Sequence, residues 1–466
     1  MSLESDVLSR AYGHAVAYLE GLDTRPVATT VGLVELRSRL DLPLQDSPTP
    51  AATVIDELVA ATEGGQLGSA SGRFFAWVIG GALPSALAAD WLASTWDVNA
   101  TIYSCGPAAA VVEEVAGAWV KDVLDLPRDA SFAFTTGCQL AHTTCLAAAR
   151  HAVLKGAGWD VEADGLVGAP AIRVLATEQR HGSIERALRL LGVGTRALQP
   201  LPTGDDGRLA HSAMREALAA GSGPTIVILD AADLNVGACD PFSELIPLAQ
   251  AAGAWVHIDG AFGLWARASR NHRHLVEGVQ LADSWATDAH KWLNTPQDSG
   301  IALVRDRVAH KAAMTVTASY IAADGDARDA IDWTPDWTRR ARGYAVYAAL
   351  RELGRDGLAD LIDRSCRHAK ALARGIGALP GAELVVAPTL NQGLVRFLDP
   401  AARNENDHDR RTDTVIQAVN AEGTAFFSGT TWRGRRAMRI SVVNWRTKED
   451  DVARTIEAFA SVLTLT

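Results

Sequence analysis

Apolar and polar residues alternate with two different periods along this chain. Apolar positions fall at helical spacing in VLSRAYGHAVAYLEGL and again in AATVIDELVAATEG. That pattern predicts helices separated by the proline-containing DLPLQDSPTP. Residues 1–65 carry apolar faces without a core of their own, and so read as a helical arm. From residue 66 to 343, short apolar runs alternate with helical patterns, in the order AIRVLAT, HGSIERALRLLG, PTIVILD, PFSELIPLAQAAG and AWVHIDG. Such alternation predicts an α/β domain: a mostly parallel sheet covered by helices on both faces. Its last part, 311–343, is polar and irregular and reads as a long connection. Thereafter YAVYAALRELG and DLIDRSCRHAKALARGIGAL predict two helices, and ELVVA, GLVRFL and AMRISVVNW predict strands. These form a separate α+β unit at 344–466.

Composition narrows the class. At 466 residues, 48% hydrophobic and 21% charged, the chain is globular and long enough for several structural units around a buried site. A net charge of −11 without a basic run argues against nucleic acid as a partner. The most apolar stretch, VIGGALPSALAADWLASTW, is broken by Pro84 and Asp90, so no membrane span is expected. Five cysteines, at 105, 138, 145, 239 and 366, form no paired framework. An odd count without CxxC spacing fits reduced thiols, and with no export signal at the N-terminus a cytoplasmic location is expected.

The candidate chemistry lies just after apolar runs, at the strand ends where α/β sheets bind ligands. Lys291 follows DSWATDAH among aromatic and apolar neighbours, surroundings in which desolvation lowers an amine's pKa. Asp259 ends the apolar AWVHI, and His181 opens the segment HGSIERALRLLG. TTGCQ, at 135–139, follows SFAF and leads into a helical run, which is how a backbone cradle for phosphate is built. Taken singly, each has an ordinary reading: a surface lysine, a turn aspartate, a capping histidine, a common glycine turn. Together, a Schiff-base lysine, a carboxylate for a pyridinium nitrogen, an imidazole and a phosphate cradle meet the requirements of pyridoxal phosphate. No GxGxxG fingerprint supports a dinucleotide, and His272 and His274 in NHRHL lack a third ligand, so no metal is expected.

HIDGAFG, followed by ADSWATDAHKWLNTPQDSG, resembles the cofactor region of the pyridoxal-phosphate-dependent group II amino-acid decarboxylases, the family of the aromatic-amino-acid, histidine and glutamate decarboxylases. GRFFAWVIGGALPSALAADWL, SCGPAAAVVEEVAGAWV, TTGCQLAHTTCLAAAR, TEQRHGSIERALRLLG, PDWTRRARGYAVYAALRELG and MRISVVNWRT resemble further segments of that family, in its usual order. The resemblance implies pyridoxal-phosphate fold type I, like aspartate aminotransferase, with a large cofactor domain, a small C-terminal domain and an N-terminal arm. It implies a homodimer with shared active sites and decarboxylation of an L-amino acid to an amine. Lys291 would hold the cofactor as a Schiff base, Asp259 would face its ring nitrogen, and His181 would stack on the ring near the substrate carboxylate. Gly137, Cys138, Gln139 and His290 would hold the phosphate, with help from Thr136, and Trp77 would line the substrate pocket.

Three departures bear on this expectation. The stretch ADGDARDAIDWTPDWTRR lacks the loop tyrosine that the family presents as a proton donor, and the nearest tyrosine upstream is Tyr320. His181, Tyr320 or water would then supply the proton, or the reaction would turn to oxygen and yield an aldehyde. An aminotransferase of the same fold and a catalytically silent relative are the remaining alternatives. His142 stands where Asn or Thr is usual, and LDAADLNVG places Asp230 and Asp233 where neutral groups are usual, which would favour a cationic substrate side chain. The thirteen tryptophans are dispersed from 77 to 445 and do not select the substrate, although an aromatic one is slightly favoured.

Overall fold

The computed structural model describes residues 3–316 and 327–465. Seven strands form the larger sheet: β1 (Ser131–Thr135), β2 (Arg173–Thr177), β3 (Leu198–Leu201), β4 (Thr225–Asp230), β5 (Trp255–Asp259), β6 (Ser284–Asp288) and β7 (Gly300–Val304). Their order is β1-β7-β6-β5-β4-β2-β3, with β7 antiparallel to both neighbours and the other pairs parallel. Parallel pairing needs crossovers, and helices Cys138–Gly156, Gly182–Leu190, His211–Ala219 and Phe242–Ala251 supply them.

The β4 sequence TIVILD shows why the sheet is buried on both faces. Val227 and Leu229 join one apolar cluster, with Trp265 and Trp285, while Ile226 and Ile228 join another, with Val174 and Ala148. A strand's period of two sends neighbouring side chains to opposite faces, so an unbroken apolar run suits a strand covered twice. The fold-type-I α/β architecture follows, with one antiparallel strand in a mostly parallel sheet.

The second sheet is antiparallel, in the order β10-β11-β9-β8, from β8 (Ala382–Val386), β9 (Gln392–Phe397), β10 (Ser428–Trp432) and β11 (Arg435–Ser441). The two helices read before it form a continuous run, Gly343–Gly377, broken in backbone geometry at Gly354 (φ 60°, ψ −171°). That left-handed φ is open to glycine at little cost. Three strands escaped the sequence reading: β3 (LQPL), β7 (GIALV) and β10 (SGTTW). β3 and β10 lie at sheet edges, where proline and polar residues are tolerated because one side of the backbone pairs with no neighbour, whereas β7 lies inside the larger sheet between β1 and β6.

At the N-terminus, helices Leu3–Glu20, Leu33–Leu40 and Ala51–Thr62 form the arm. The second and third bury no residue within the chain. No described helix is long and apolar enough to cross a membrane.

Candidate functional site

The carboxyl ends of β2, β4, β5 and β6, together with the turn after β1, open onto one cavity of about 680 Å³. The turn after β1 is set by backbone contact. A Cβ on Gly300, the first residue of β7, would lie 2.4 Å from the Gly137 backbone, so only glycine lets the two segments meet. Gly137 then opens helix Cys138–Gly156, whose first amides point toward the cavity end of the sheet.

Strand β6 ends at Asp288, which is buried and organises this corner. Its Oδ1 accepts the Cys138 amide at 2.6 Å, and its Oδ2 lies 3.1 Å from Lys291 Nζ. Trp265 Nε1 donates to the Asp288 carbonyl at 3.0 Å, and the Phe262 ring lies 6.0 Å from Nζ. The lysine backbone is equally confined, since a Cβ on Gly80 would fall 2.0 Å from the Lys291 carbonyl oxygen. The aromatic setting predicted a lowered lysine pKa, and the structure corrects this. Burial does pull the amine down, but Asp288 and, behind it, Asp259 outweigh it and hold Lys291 above its ordinary value.

Asp259 ends β5, and one oxygen accepts the Ala261 amide at 3.1 Å while the other lies 3.4 Å from His142 Nε2. Burial pushes this carboxyl up, yet His142, Lys291 and His181 bring it below the usual carboxylate range. It is therefore an anion in the cavity wall.

His181 both caps a helix and lines the cavity. Its Nδ1 accepts the Ser183 amide at 3.2 Å, which leaves the ring proton on Nε2. Burial lowers its pKa, in keeping with a neutral imidazole. Gln139 donates to the Ser183 carbonyl at 3.2 Å and so ties the helix 138–156 terminus to the His181 turn. His290 contacts the Ser299 carbonyl through Nδ1 at 2.8 Å, and burial lowers its pKa as well. Gly137, Cys138, Gln139 and Trp77 line the cavity, whereas Thr136 is exposed and does not. Trp77 is 50% exposed and leans on Phe74 and Phe426 at ring distances of 5.9 and 5.6 Å. It and Val78 have φ of 54° and 66°, a left-handed pair that costs a β-branched residue conformational energy at the cavity rim.

Asp230 and Asp233 also reach the wall, but neither offers a free negative charge. Burial, Asp240 and Asp259 push Asp230 well above the carboxylate range, and its Oδ2 accepts the Thr177 hydroxyl at 3.0 Å. Asp233 closes its own turn, accepting the amides of Asn235 at 2.8 Å and Ala238 at 2.9 Å, and faces Arg439. The expected bias toward a cationic substrate side chain loses its basis.

Two cavity residues escaped the sequence reading. Asp288 stood in the lysine motif, three residues before Lys291, but only the fold turns it onto both Lys291 and the helix amide. Arg439 sits in the apolar AMRISVVNW, and a charge inside a buried strand was the available signal. It is buried, its Nη1 donates to the Leu234 carbonyl at 3.2 Å, and its Nε has no hydrogen-bond partner. Among the described residues, donor atoms of Cys138, His142 and Asp259 lie within 4.8 Å of one another. Burial, Asp288 and Asp259 hold Cys138 as a thiol, a poor ligand for a metal ion.

An amine, an anionic carboxylate, a neutral imidazole and a helix N-terminus around one cavity fit pyridoxal phosphate in shape and charge. On a fold-type-I sheet, they define a pyridoxal-phosphate enzyme. The chain belongs to the pyridoxal-dependent decarboxylase family, whose conserved domain matches residues 34–398. Its cofactor is pyridoxal phosphate, and its reaction is the decarboxylation of an amino acid. It is 31% identical to L-2,4-diaminobutyrate decarboxylase of Rhizobium meliloti (strain 1021), over 80% of this chain and 74% of that one. Phenylacetaldehyde synthase of Arabidopsis thaliana is 24% identical, over 95% and 93% of the two chains. The crystal structure of Oryza sativa TDC with pyridoxal phosphate and tryptamine superimposes with a TM-score of 0.92 at 26% identity, covering 98% of this chain and 97% of that one.

Proposed function

We propose that Lys291, Asp259 and His181 carry the decarboxylation. The observation behind this assignment is their convergence, from three strand ends, on the cavity that helix 138–156 faces. When bound, pyridoxal phosphate supplies an electron sink for the pair of electrons left behind as carbon dioxide departs. Lys291 would hold the cofactor covalently and release the product amine. Asp259, kept anionic, would keep a proton on the ring nitrogen. His181, its proton on Nε2, lines the same cavity and would supply a proton to the substrate carbon. Gly137, Cys138 and Gln139 at the helix start, with His290, would border the phosphate, the Cys138 amide itself being held by Asp288, and Arg439 would receive the substrate carboxylate. Trp77 borders the substrate side chain.

A second copy of the chain completes the enzyme in this reading. Leu33, Val34 and Leu58 on the arm helices are exposed, and those helices have no buried face within the chain. The arm at 1–65, a cofactor domain at 66–343 and a small domain at 344–466 are the units we assign. All five cysteines are free thiols, in keeping with a reducing cytoplasmic setting.

An aldehyde-forming outcome is the second reading. The segment 327–343 contains no tyrosine, and its described part is packed away: Ile331 donates to the Thr101 carbonyl at 3.0 Å, and the Arg328 guanidinium lies 4.1 Å from the Phe132 ring centre. Tyr320 lies outside the described residues. The deciding experiment supplies a panel of L-amino acids under air and under nitrogen, with Lys291→Ala as the blank. Amine and carbon dioxide in both atmospheres support the decarboxylase reading; aldehyde and ammonia formed only in air replace it with the second.

A further inference from the structure

Behind Asp259, on the side away from the cavity, lies a file of buried polar groups that the roles above do not use. His142 approaches Asp259 Oδ2 through Nε2 at 3.4 Å, long for a hydrogen bond, and that nitrogen has no hydrogen-bond partner. Its Nδ1 lies 2.9 Å from His257 Nε2, and His257 Nδ1 lies 2.9 Å from the Ser284 hydroxyl. Trp255 Nε1 donates to the same hydroxyl at 2.9 Å and closes the file. Both imidazoles are fully buried.

For two neutral rings, proton counting allows one order that satisfies every contact. A carboxylate only accepts, so His142 carries its proton on Nε2 and presents Nδ1 as an acceptor. His257 then carries its proton on Nε2 and accepts the Ser284 hydroxyl at Nδ1. Each donor points toward Asp259, and hydrogen bonds aligned in this way polarise one another in a low-dielectric interior.

We propose that His142 and His257 are positioning residues for the cofactor ring: a two-imidazole relay, closed to solvent, that donates into Asp259 and keeps that carboxylate anionic and aimed into the cavity. His142 does so from helix 138–156 and His257 from β5 itself, two residues before Asp259. The other charged or titratable groups facing Asp259 are Lys291, His181, Asp230 and Cys138. Lys291 is consumed when it attaches the cofactor, and His181 and Asp230 are held neutral, so the relay is the support for the anion that persists in the loaded enzyme. Burial drives His257 well below the ordinary histidine range, which keeps that ring neutral. The inference rests on the cofactor assignment above.

The first test is 15N NMR of histidine-labelled, full-length protein with the cofactor removed. The relay requires His142 and His257 each to carry its proton on Nε2, with His257 staying neutral through the ordinary histidine range. The opposite tautomer in either ring, or an ordinary titration of His257, overturns it. The second test reads the bound cofactor in His142→Phe and His142→Asn. The phenylalanine variant should bind pyridoxal phosphate about tenfold more weakly and move the pH midpoint of the cofactor's absorbance by about one unit. His142→Asn, which restores a donor but not the connection to His257, should fall between. In that asparagine background a further His257→Phe should add little, as a double-mutant cycle reveals. Unchanged affinity and midpoint in His142→Phe would refute the relay, and should that variant fail to fold, the NMR result decides. A wild-type protein that takes up no pyridoxal phosphate would defeat the cofactor assignment instead, leaving the NMR reading of the two rings intact.

Discussion

Asp288 shows how one carboxylate can set both the position and the charge of its neighbours. It spans the first amide of helix 138–156 and the Lys291 ammonium, so the phosphate cradle and the reactive amine share a fixed reference. Its charge is also the leading influence that raises the lysine's pKa against burial. Removing the charge while keeping the shape should reverse the balance. Asp288→Asn is expected to lower the pH midpoint for covalent attachment of pyridoxal phosphate by about one unit or more, read by trapping with borohydride across pH. An unchanged midpoint would mean that Asp259 suffices.

At the scale of elements, His310 ties three segments together. It lies on helix Arg307–Met314, meets the β1 residue Ser131 through Nδ1 at 2.8 Å, and donates from Nε2 to the Trp333 carbonyl at 2.9 Å. Burial drives its pKa down to about 3. The unfolded chain therefore binds a proton more readily than the folded one between the ordinary value and about 3. Protons in that window favour unfolding. The stability contribution is fully present above pH ~6.5 and is lost as pH falls, at up to about 1.4 kcal/mol per unit. Denaturant titrations from pH 7 to 4 should show this decline, and His310→Gln should flatten it. His181, His257, His272, His290 and His368 are also lowered, so part of the slope should remain. A variant with the wild-type slope would assign the effect to those histidines alone.

For the whole molecule, the arm is the part that the single chain leaves unfinished. Its exposed leucine and valine side chains would remain in water unless a partner covers them, a costly arrangement for a surface of this size. If the arm seats a second copy as proposed, a double change, Leu33→Asp with Val34→Asp, should leave the protein monomeric in light scattering where the unchanged chain is dimeric. Cofactor uptake should fall with it if the partner contributes to the site. A variant that stays dimeric would place the interface elsewhere.

Much of this molecule was legible in the chain because its signals are local. Buried parallel strands read as unbroken apolar runs, and four of the site's groups follow such runs directly, so the fold class and Lys291, Asp259 and His181 could be named in advance. Edge strands carry weaker patterns, which is why LQPL and SGTTW went unread; the interior GIALV went unread as well. Pairings across distant segments were beyond local reading. The sequence shows Asp288, Arg439, His142 and His257, but not that β6 lies beside β7 against the Gly137 turn, nor that helix 138–156 brings His142 behind β5. Chain pattern alone determined the fold class, five of the seven strands of the larger sheet, the cofactor and the residues at the strand ends. Tertiary structure decided their charges, because a side chain's pKa depends on burial and on groups brought near from far along the chain. Lys291 held high, Asp259 held low and Asp230 kept neutral are consequences of packing.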